Sequence, residues 1–114
     1  MDEIGSPGHE AKLIINQGCS RSFTVLHKDD QGNIIDHANS QGFLALHNDY
    51  NNRNIKLNSV ECTTTNIIVS ILPEQTEQLQ PGEWSWDLIV EMQGGEKIRL
   101  LYGEAEVIDT YALD

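Results

Sequence analysis

The chain has little of what several functional classes require. Its two cysteines, Cys19 and Cys62, are far apart and belong to neither a C-x-x-C pair nor a metal-binding cysteine–histidine spacing. Only seven Lys and Arg residues stand against 18 Asp and Glu, which gives a net charge of −11. Because phosphate groups are bound by clustered cations, this balance argues against a nucleic-acid partner and against an anionic membrane.

Long apolar runs are missing as well. No stretch approaches the roughly 20 apolar residues of a membrane-spanning helix. The first eleven residues lack the basic start and apolar core of a secretory signal. We therefore expect a protein that folds in a cytoplasm, where free thiols at Cys19 and Cys62 are favoured. A disulfide between Cys19 and Cys62 remains the alternative if the strands bring the two residues together.

Helical periodicity is also scarce, because residues 73–79 give the only helical signal. Proline at its start and acidic residues in the first turn suit a short connector of at most about two turns. The remainder indicates seven to nine short strands at close spacing, which suggests an all-β sandwich or barrel. Of these two we predict a single antiparallel sandwich. The expected domains are a flexible N-terminal arm at 1–11, a β-sandwich domain at 12–109 and a C-terminal tail at 110–114.

The clearest strand signal lies in residues 66–109. There an apolar series alternates with polar residues, and Ile89 is the one exception on the polar side. This period of two indicates a strand with one buried face. The buried series comprises Trp84, Trp86, Leu88, Val90 and Met92.

The apolar pattern also selects the turn that follows. A two-residue loop at Gly94-Gly95 would place Lys97 and Arg99 beside the tryptophan face. A three-residue loop at 93–95 instead pairs Met92 with Glu96, Val90 with Ile98, Leu88 with Leu100 and Trp86 with Tyr102. We predict the three-residue loop, with Gly95 in the left-handed conformation that such loops use.

Two further strand assignments are less constrained. Beyond Tyr102 the apolar positions change from even to odd numbers, and one extra residue at Gly103 would keep them on the inward face. We therefore predict a β-bulge at Gly103, with a turn there as the alternative. In residues 42–47 the inward face is either Phe43 with Ala45 or Leu44 with Leu46.

No catalytic constellation is present in the sequence. His27 and His47 could meet across strands, but two histidines without a third ligand are a weak basis for zinc. The turn at 29–33 lacks the glutamate of a calcium loop. Cys19, Ser20 and Ser22 lack a nucleophile motif. Asp87, Glu91, Glu104 and Glu106 fit a solvated sheet face. We predict no catalytic, cofactor or metal site.

Trp84 and Trp86 raise the possibility of sugar stacking. Because both share the apolar face of one strand, a core position is the favoured interpretation.

An ordered set of motifs resembles a known family. The motifs lie at 21–25 (RSFTV), 32–36 (GNIID), 73–79 (PEQTEQL), 81–88 (PGEWSWDL) and 99–107 (RLLYGEAEV). Together they resemble the small immunoglobulin-like β-sandwich proteins encoded among virion genes of tailed bacteriophages, which are similar to N-terminal domains of baseplate and receptor-binding assemblies. The resemblance covers residues 14–108, and residues 37–60 depart from its pattern.

The resemblance implies a non-enzymatic structural protein of the virion, in the tail, the baseplate or the capsid exterior. Its implied partners are other virion proteins, with homo-oligomerisation open, and its implied location is the virion. The family carries no catalytic residues to transfer. The alternative function is a carbohydrate-binding or adhesion module that uses exposed aromatics such as Tyr50, Tyr111 or Trp84.

Overall fold

The computed structural model describes residues 2–4, 9–48 and 50–109, with residues 2–4 described by their backbone. This part of the chain is mostly β structure with one short helix, α1, at Pro73–Glu77. The strands, in chain order, are β1 Asp2–Ile4, β2 His9–Glu10, β3 Leu13–Asn16, β4 Arg21–His27, β5 Gln41–Asn48, β6 Arg53–Cys62, β7 Ile67–Ile71, β8 Gly82–Glu91 and β9 Lys97–Ile108.

These strands belong to one mixed sheet in the order β1-β4-β7-β6-β5-β8-β9-β2, and β3 also pairs with β9. The pairings of β1, β2 and β3 with their neighbours are parallel, and the others are antiparallel. The all-β class is confirmed, but the antiparallel two-sheet sandwich is wrong. Strand twist and register shifts in the β5–β6 and β8–β9 ladders let a single sheet curl around its own core.

The curl brings distant strands into contact. Phe23 on β4 meets Trp86 on β8 edge to face, with ring centroids 6.1 Å apart, although β7, β6 and β5 separate these strands in the hydrogen-bonded order. The Arg21 Nε–H donates to the carbonyl oxygen of Ile14 over 3.1 Å, which links β4 to β3. The two ends of the sheet therefore approach each other and enclose the core.

The enclosed face carries the apolar series that the sequence indicated. Trp84 and Trp86 are 2% and 3% exposed, so their predicted core position is confirmed. The other buried apolar residues are Leu13, Ile15, Val25, Leu44, Leu46, Leu57, Ile67, Val69, Ile71, Leu79, Leu88, Val90, Leu100, Leu101, Ala105 and Val107.

The turn between β8 and β9 is the predicted three-residue loop. The Met92 N–H donates to the Glu96 carbonyl over 2.7 Å, and the Gly95 N–H donates to the Met92 carbonyl over 3.0 Å. Gly95 has φ +93°, as the loop type requires. Val90 pairs with Ile98, which confirms the register near the loop.

Farther along this hairpin the predicted register is wrong. Ile89 pairs with Arg99 and Leu88 pairs with Leu101, so the extra residue is Leu100, not Gly103. The predicted pairs Leu88–Leu100 and Trp86–Tyr102 are replaced by Leu88–Leu101 and Trp86–Gly103. The apolar pattern could not locate the bulge, because the adjacent residues Leu100 and Leu101 are both apolar and both buried.

Strand β5 resolves the open choice of face. Leu44 and Leu46 point into the core, and Phe43 and Ala45 lie on the outer face of the sheet. Strand β5 lies between β6 and β8, so its outer face is continuous with theirs.

The predicted N-terminal arm at 1–11 contains β1 and β2, which pair with β4 and β9. Its flexibility stays a prediction, as do the domain boundaries. The predicted tail at 110–114 lies outside the described residues. Among the residues that the structure describes, no helix is long and apolar enough to span a bilayer.

Candidate functional site

The outer face of β5, β6, β8 and β9 carries a mixed apolar and cationic surface. Period-two alternation that buries Leu44 and Leu88 turns Phe43 and Ile89 outward, and these two residues pair across β5 and β8. Lys56 on β6 and Arg99 on β9 flank them. We call the surface formed by Phe43, Lys56, Asp87, Ile89, Arg99 and Tyr102 the outer patch.

Each aromatic ring of the outer patch has a cation over it. The Lys56 ammonium is 4.2 Å from the Phe43 ring centroid, and the Arg99 guanidinium is 4.1 Å from that of Tyr102. The Arg99 Nε–H also donates to Asp87 Oδ1 over 2.6 Å. These cation–π contacts and the ion pair fix the orientations of long side chains that would otherwise be mobile.

A shallow concavity of about 300 Å³ adjoins the patch. Its lining mixes Phe43, Ala45 and Ile55 with Lys56 and Asp87. This volume is at the lower end of the range of about 300–1,000 Å³ that is usual for small-molecule pockets. The surface therefore has the shape of a contact face for side chains more than of an enclosed ligand site.

The histidines do not form the arrangement that the sequence suggested. His27 is hydrogen-bonded to His37 instead of His47, with 2.9 Å between His27 Nδ1 and His37 Nε2. His47 contacts the side-chain oxygen of Asn54 on the outer side of the sheet. Within residues 9–48 and 50–109, no group of three His, Cys, Asp or Glu side chains is placed to hold a metal ion.

The two paired histidines are buried, at 3% exposure for His27 and 1% for His37. The rings lie nearly parallel, at 19°, with centroids 5.2 Å apart. Burial lowers the pKa of both imidazoles, and the neighbouring His27 lowers the pKa of His37 further. Both rings are therefore mainly neutral at pH values above 6.5.

The remaining candidate groups do not converge on a reaction centre. Cys19 and Cys62 are free thiols, as expected, and burial raises the pKa of the Cys62 thiol, which keeps it protonated. Asp87 is paired with Arg99, and Glu106 is 3.5 Å from the Lys12 ammonium. These carboxylates lie on the solvated outer side of the sheet.

Of the aromatic residues that suggested sugar binding, both tryptophans form hydrogen bonds within the protein. The indole N–H groups of Trp84 and Trp86 donate to the carbonyl oxygens of Gln80 and Ala11, each over 2.9 Å. Tyr50 is 97% exposed. Tyr111 lies outside the described residues.

Two features escaped the sequence analysis, and one had left a signal. Ile89, the only apolar residue on the polar side of β8, marks the centre of the outer patch. The pairing of His27 with His37 left no such signal, because His37 lies in an irregular segment whose position depends on tertiary contacts.

The fold is similar to that of two solved structures. The N-terminal domain of phage TP901-1 ORF48 matches with a TM-score of 0.55 and 12% sequence identity, over 95% of this chain and 99% of that one. A family 123 glycoside hydrolase from Clostridium perfringens, studied for glycolipid glycan hydrolysis, matches with a TM-score of 0.53 and 8% identity. That match covers 89% of this chain and 23% of the hydrolase.

At these identities the likeness establishes the fold alone. No protein-family model matches the sequence. No curated protein matches it either.

Proposed function

We propose that this chain is a non-enzymatic structural protein of a tailed-phage virion, in the tail, the baseplate or the capsid exterior, and that it acts through protein–protein assembly. The observation that carries the proposal is the fold likeness to the phage TP901-1 ORF48 domain, because it spans 99% of that domain and 95% of this chain. The ordered set of motifs in residues 14–108 supports the same assignment independently of the fold.

The outer patch is the surface that we assign to assembly. Aromatic residues and arginine are enriched in the cores of protein interfaces, and Phe43, Tyr102 and Arg99 supply them here. Lys56 and Arg99 are already oriented by the rings and by Asp87, so less side-chain entropy is lost on binding.

The occupant that we propose for the outer patch is a neighbouring virion polypeptide with an apolar centre and a carboxylate rim. Lys56 and Arg99 are two of the seven Lys and Arg residues in a chain of net charge −11, and both flank Phe43 and Ile89. Asp87 neutralises part of this charge. A complementary acidic rim would pair with the cations that remain.

The proposal is tested by quantifying the polypeptide in virions purified from the source. Trypsin cleaves after Lys12, Arg21 and Lys28, so the peptides 13–21 and 22–28 serve as heavy-labelled standards. We expect a fixed, multi-copy ratio to the major tail or capsid protein across independent preparations. Absence of both peptides from purified virions would overturn the assignment.

Homo-oligomerisation is a separate part of the proposal. Light scattering of the purified protein over a concentration series distinguishes a closed oligomer from a monomer that becomes ordered only in the virion.

The carbohydrate-binding alternative has weaker support. Trp84 and Trp86 are buried, and the rings of Phe43 and Tyr102 each carry a cation over one face. The observation in its favour is the likeness to part of a glycoside hydrolase, which shows the fold alone. Saturable glycan binding that Tyr50→Ala abolishes would establish this alternative.

A further inference from the structure

A buried histidine pair holds an irregular segment against the curled sheet. The segment at 34–40 lies between β4 and β5, and its His37 side chain is bonded to His27 at the end of β4. Two backbone hydrogen bonds fasten the same segment. The Ile35 N–H donates to the His27 carbonyl over 2.9 Å, and the His37 N–H donates to the Thr63 carbonyl over 3.1 Å.

The hydrogen-bonding capacity of the pair fixes its tautomers. If His27 Nδ1–H donates to His37 Nε2, then His37 Nδ1–H is free to donate to Ser40 Oγ, 3.3 Å away. Every N–H of the pair then has an acceptor, which is the favourable arrangement for buried donors. The opposite assignment would leave an N–H at His27 Nε2, for which the described part of the chain provides no acceptor.

In this arrangement one ring nitrogen has an unused lone pair, namely His27 Nε2. It is buried and has no hydrogen-bond partner among the residues that the structure describes. A proton taken up there would create a buried cation whose N–H meets no acceptor. Burying such a group is costly, whereas opening the segment would let water solvate it.

We propose that the His27–His37 pair is a proton-operated latch, which holds the 34–40 segment on the sheet when both rings are neutral and releases it when they are protonated. The device goes beyond the proposed virion role and does not depend on it.

The charged groups around the pair bear on the direction of the effect. The Asp36 carboxylate in the segment raises the pKa of His37, but burial lowers it by more. Lys28 follows His27 directly in the chain, and the backbone of Glu3 on β1 is in register with that of Leu26. On the β6 side Cys62 precedes Thr63, and its burial-raised pKa keeps its thiol neutral.

The sign of the pH dependence follows from the lowered pKa values. In the open segment each imidazole has its ordinary value of 6.5, so the open form binds more protons once the pH falls below that value. The latch is therefore fully closed above about pH 7.5 and weakens as the pH falls through 6.5. Between about pH 7.5 and 5.5, opening should increase by at most about tenfold for each histidine and about 100-fold for both, limits that are reached when the closed form takes up no proton in this range.

Amide hydrogen exchange followed by NMR tests the latch in the intact protein. We expect the protection factors of the Ile35 and His37 amides, corrected for intrinsic exchange, to fall between pH 7.5 and 5.5, by at most about 100-fold. The control is the Met92 amide, which is bonded to Glu96 at the far hairpin and should keep its protection. Unchanged protection of Ile35 and His37 at pH 5.5 would overturn the proposal, and so would equal losses at all three amides.

Two variants sharpen the test. His37→Gln removes one titrating ring but keeps a group that can hydrogen-bond, so the pH-dependent loss at Ile35 should be smaller than in the wild type and at most about tenfold. His9→Gln removes an exposed histidine and should leave the wild-type response intact. If His37→Gln does not fold, NMR titration of the wild-type rings decides. Titration at 6.5 or above while the segment stays protected would contradict the latch.

Discussion

Trp86 donates its indole N–H to the carbonyl oxygen of Ala11, with 2.9 Å between Nε1 and the oxygen, across 75 positions of sequence. The Ala11 N–H in turn donates to the Tyr102 carbonyl over 2.8 Å. The chain between β2 and β3 is therefore anchored both to a core side chain and to strand β9.

Trp86→Phe tests this anchor, because it keeps an aromatic ring in the core and removes the N–H donor. We expect a loss of about 1–3 kcal/mol in the free energy of unfolding, since the Ala11 carbonyl loses a partner and the core loses volume. Urea denaturation measures the loss, and hydrogen exchange at the Ala11 amide should accelerate. Trp84→Phe is the control, because its indole bonds Gln80 four residues earlier. Equal acceleration at Ala11 in both variants would refute the anchor.

Gly103 on β9 has no side chain, and this allows the Ala11 backbone to lie close to β9. It has φ +145°, and a Cβ placed there would collide with the Ala11 carbonyl oxygen. We expect Gly103→Ala to cost about 2–4 kcal/mol of unfolding free energy, from backbone strain and the clash together. Gly82→Ala is the matched control, because Gly82 has φ +133° and open space around it. Its cost should be about 1–2 kcal/mol, and an equal cost at both sites would show that the clash is unimportant.

These contacts show what local patterns could and could not predict. Alternation of apolar residues predicted the loop at 93–95 and the burial of both tryptophans, because each depends on neighbours within one hairpin. Gly103 was noticed, but its role was misread. Gly103 lies against the backbone of Ala11. The alternation of residues within β9 gives no information about a contact with a residue near the other end of the chain.

The sheet's curl was hidden from the sequence for a similar reason. The alternation in β8 shows which of its faces is buried, but not whether that face meets a second sheet or the far end of its own sheet. The contact between Phe23 and Trp86 decides this question, and it joins strands that are not neighbours. The His27–His37 pair is likewise a tertiary contact between a strand end and an irregular segment.

The face assignment of β5 is tested by two adjacent substitutions. Leu44→Ala should cost about 2–5 kcal/mol of unfolding free energy, because it opens a cavity in the core. Phe43→Ala should cost about 1 kcal/mol or less, since Phe43 lies on the outer face under Lys56. Urea denaturation of both variants measures the difference. A larger loss of unfolding free energy for Phe43→Ala than for Leu44→Ala would show that Phe43, and not Leu44, faces the core.

The thiols provide an independent check on packing. Two thiols per chain should react with Ellman's reagent in denaturant without prior reduction, because both cysteines are free. In the native Cys19→Ser variant, Cys62 should react more slowly than it does after unfolding, since burial raises its pKa and limits access. The rate at constant pH is the readout. Failure of either thiol to react in denaturant would indicate a disulfide.

The central claim is that the outer patch of an assembled virion protein faces another polypeptide. Lysine acetylation of intact virions, compared with the free protein and quantified by mass spectrometry, tests it most directly. The account predicts that Lys56 reacts at least about fivefold more slowly in the virion, while Lys28, which lies outside the patch, keeps its free-protein rate. Unchanged reactivity at Lys56 in virions that contain the protein would contradict the account.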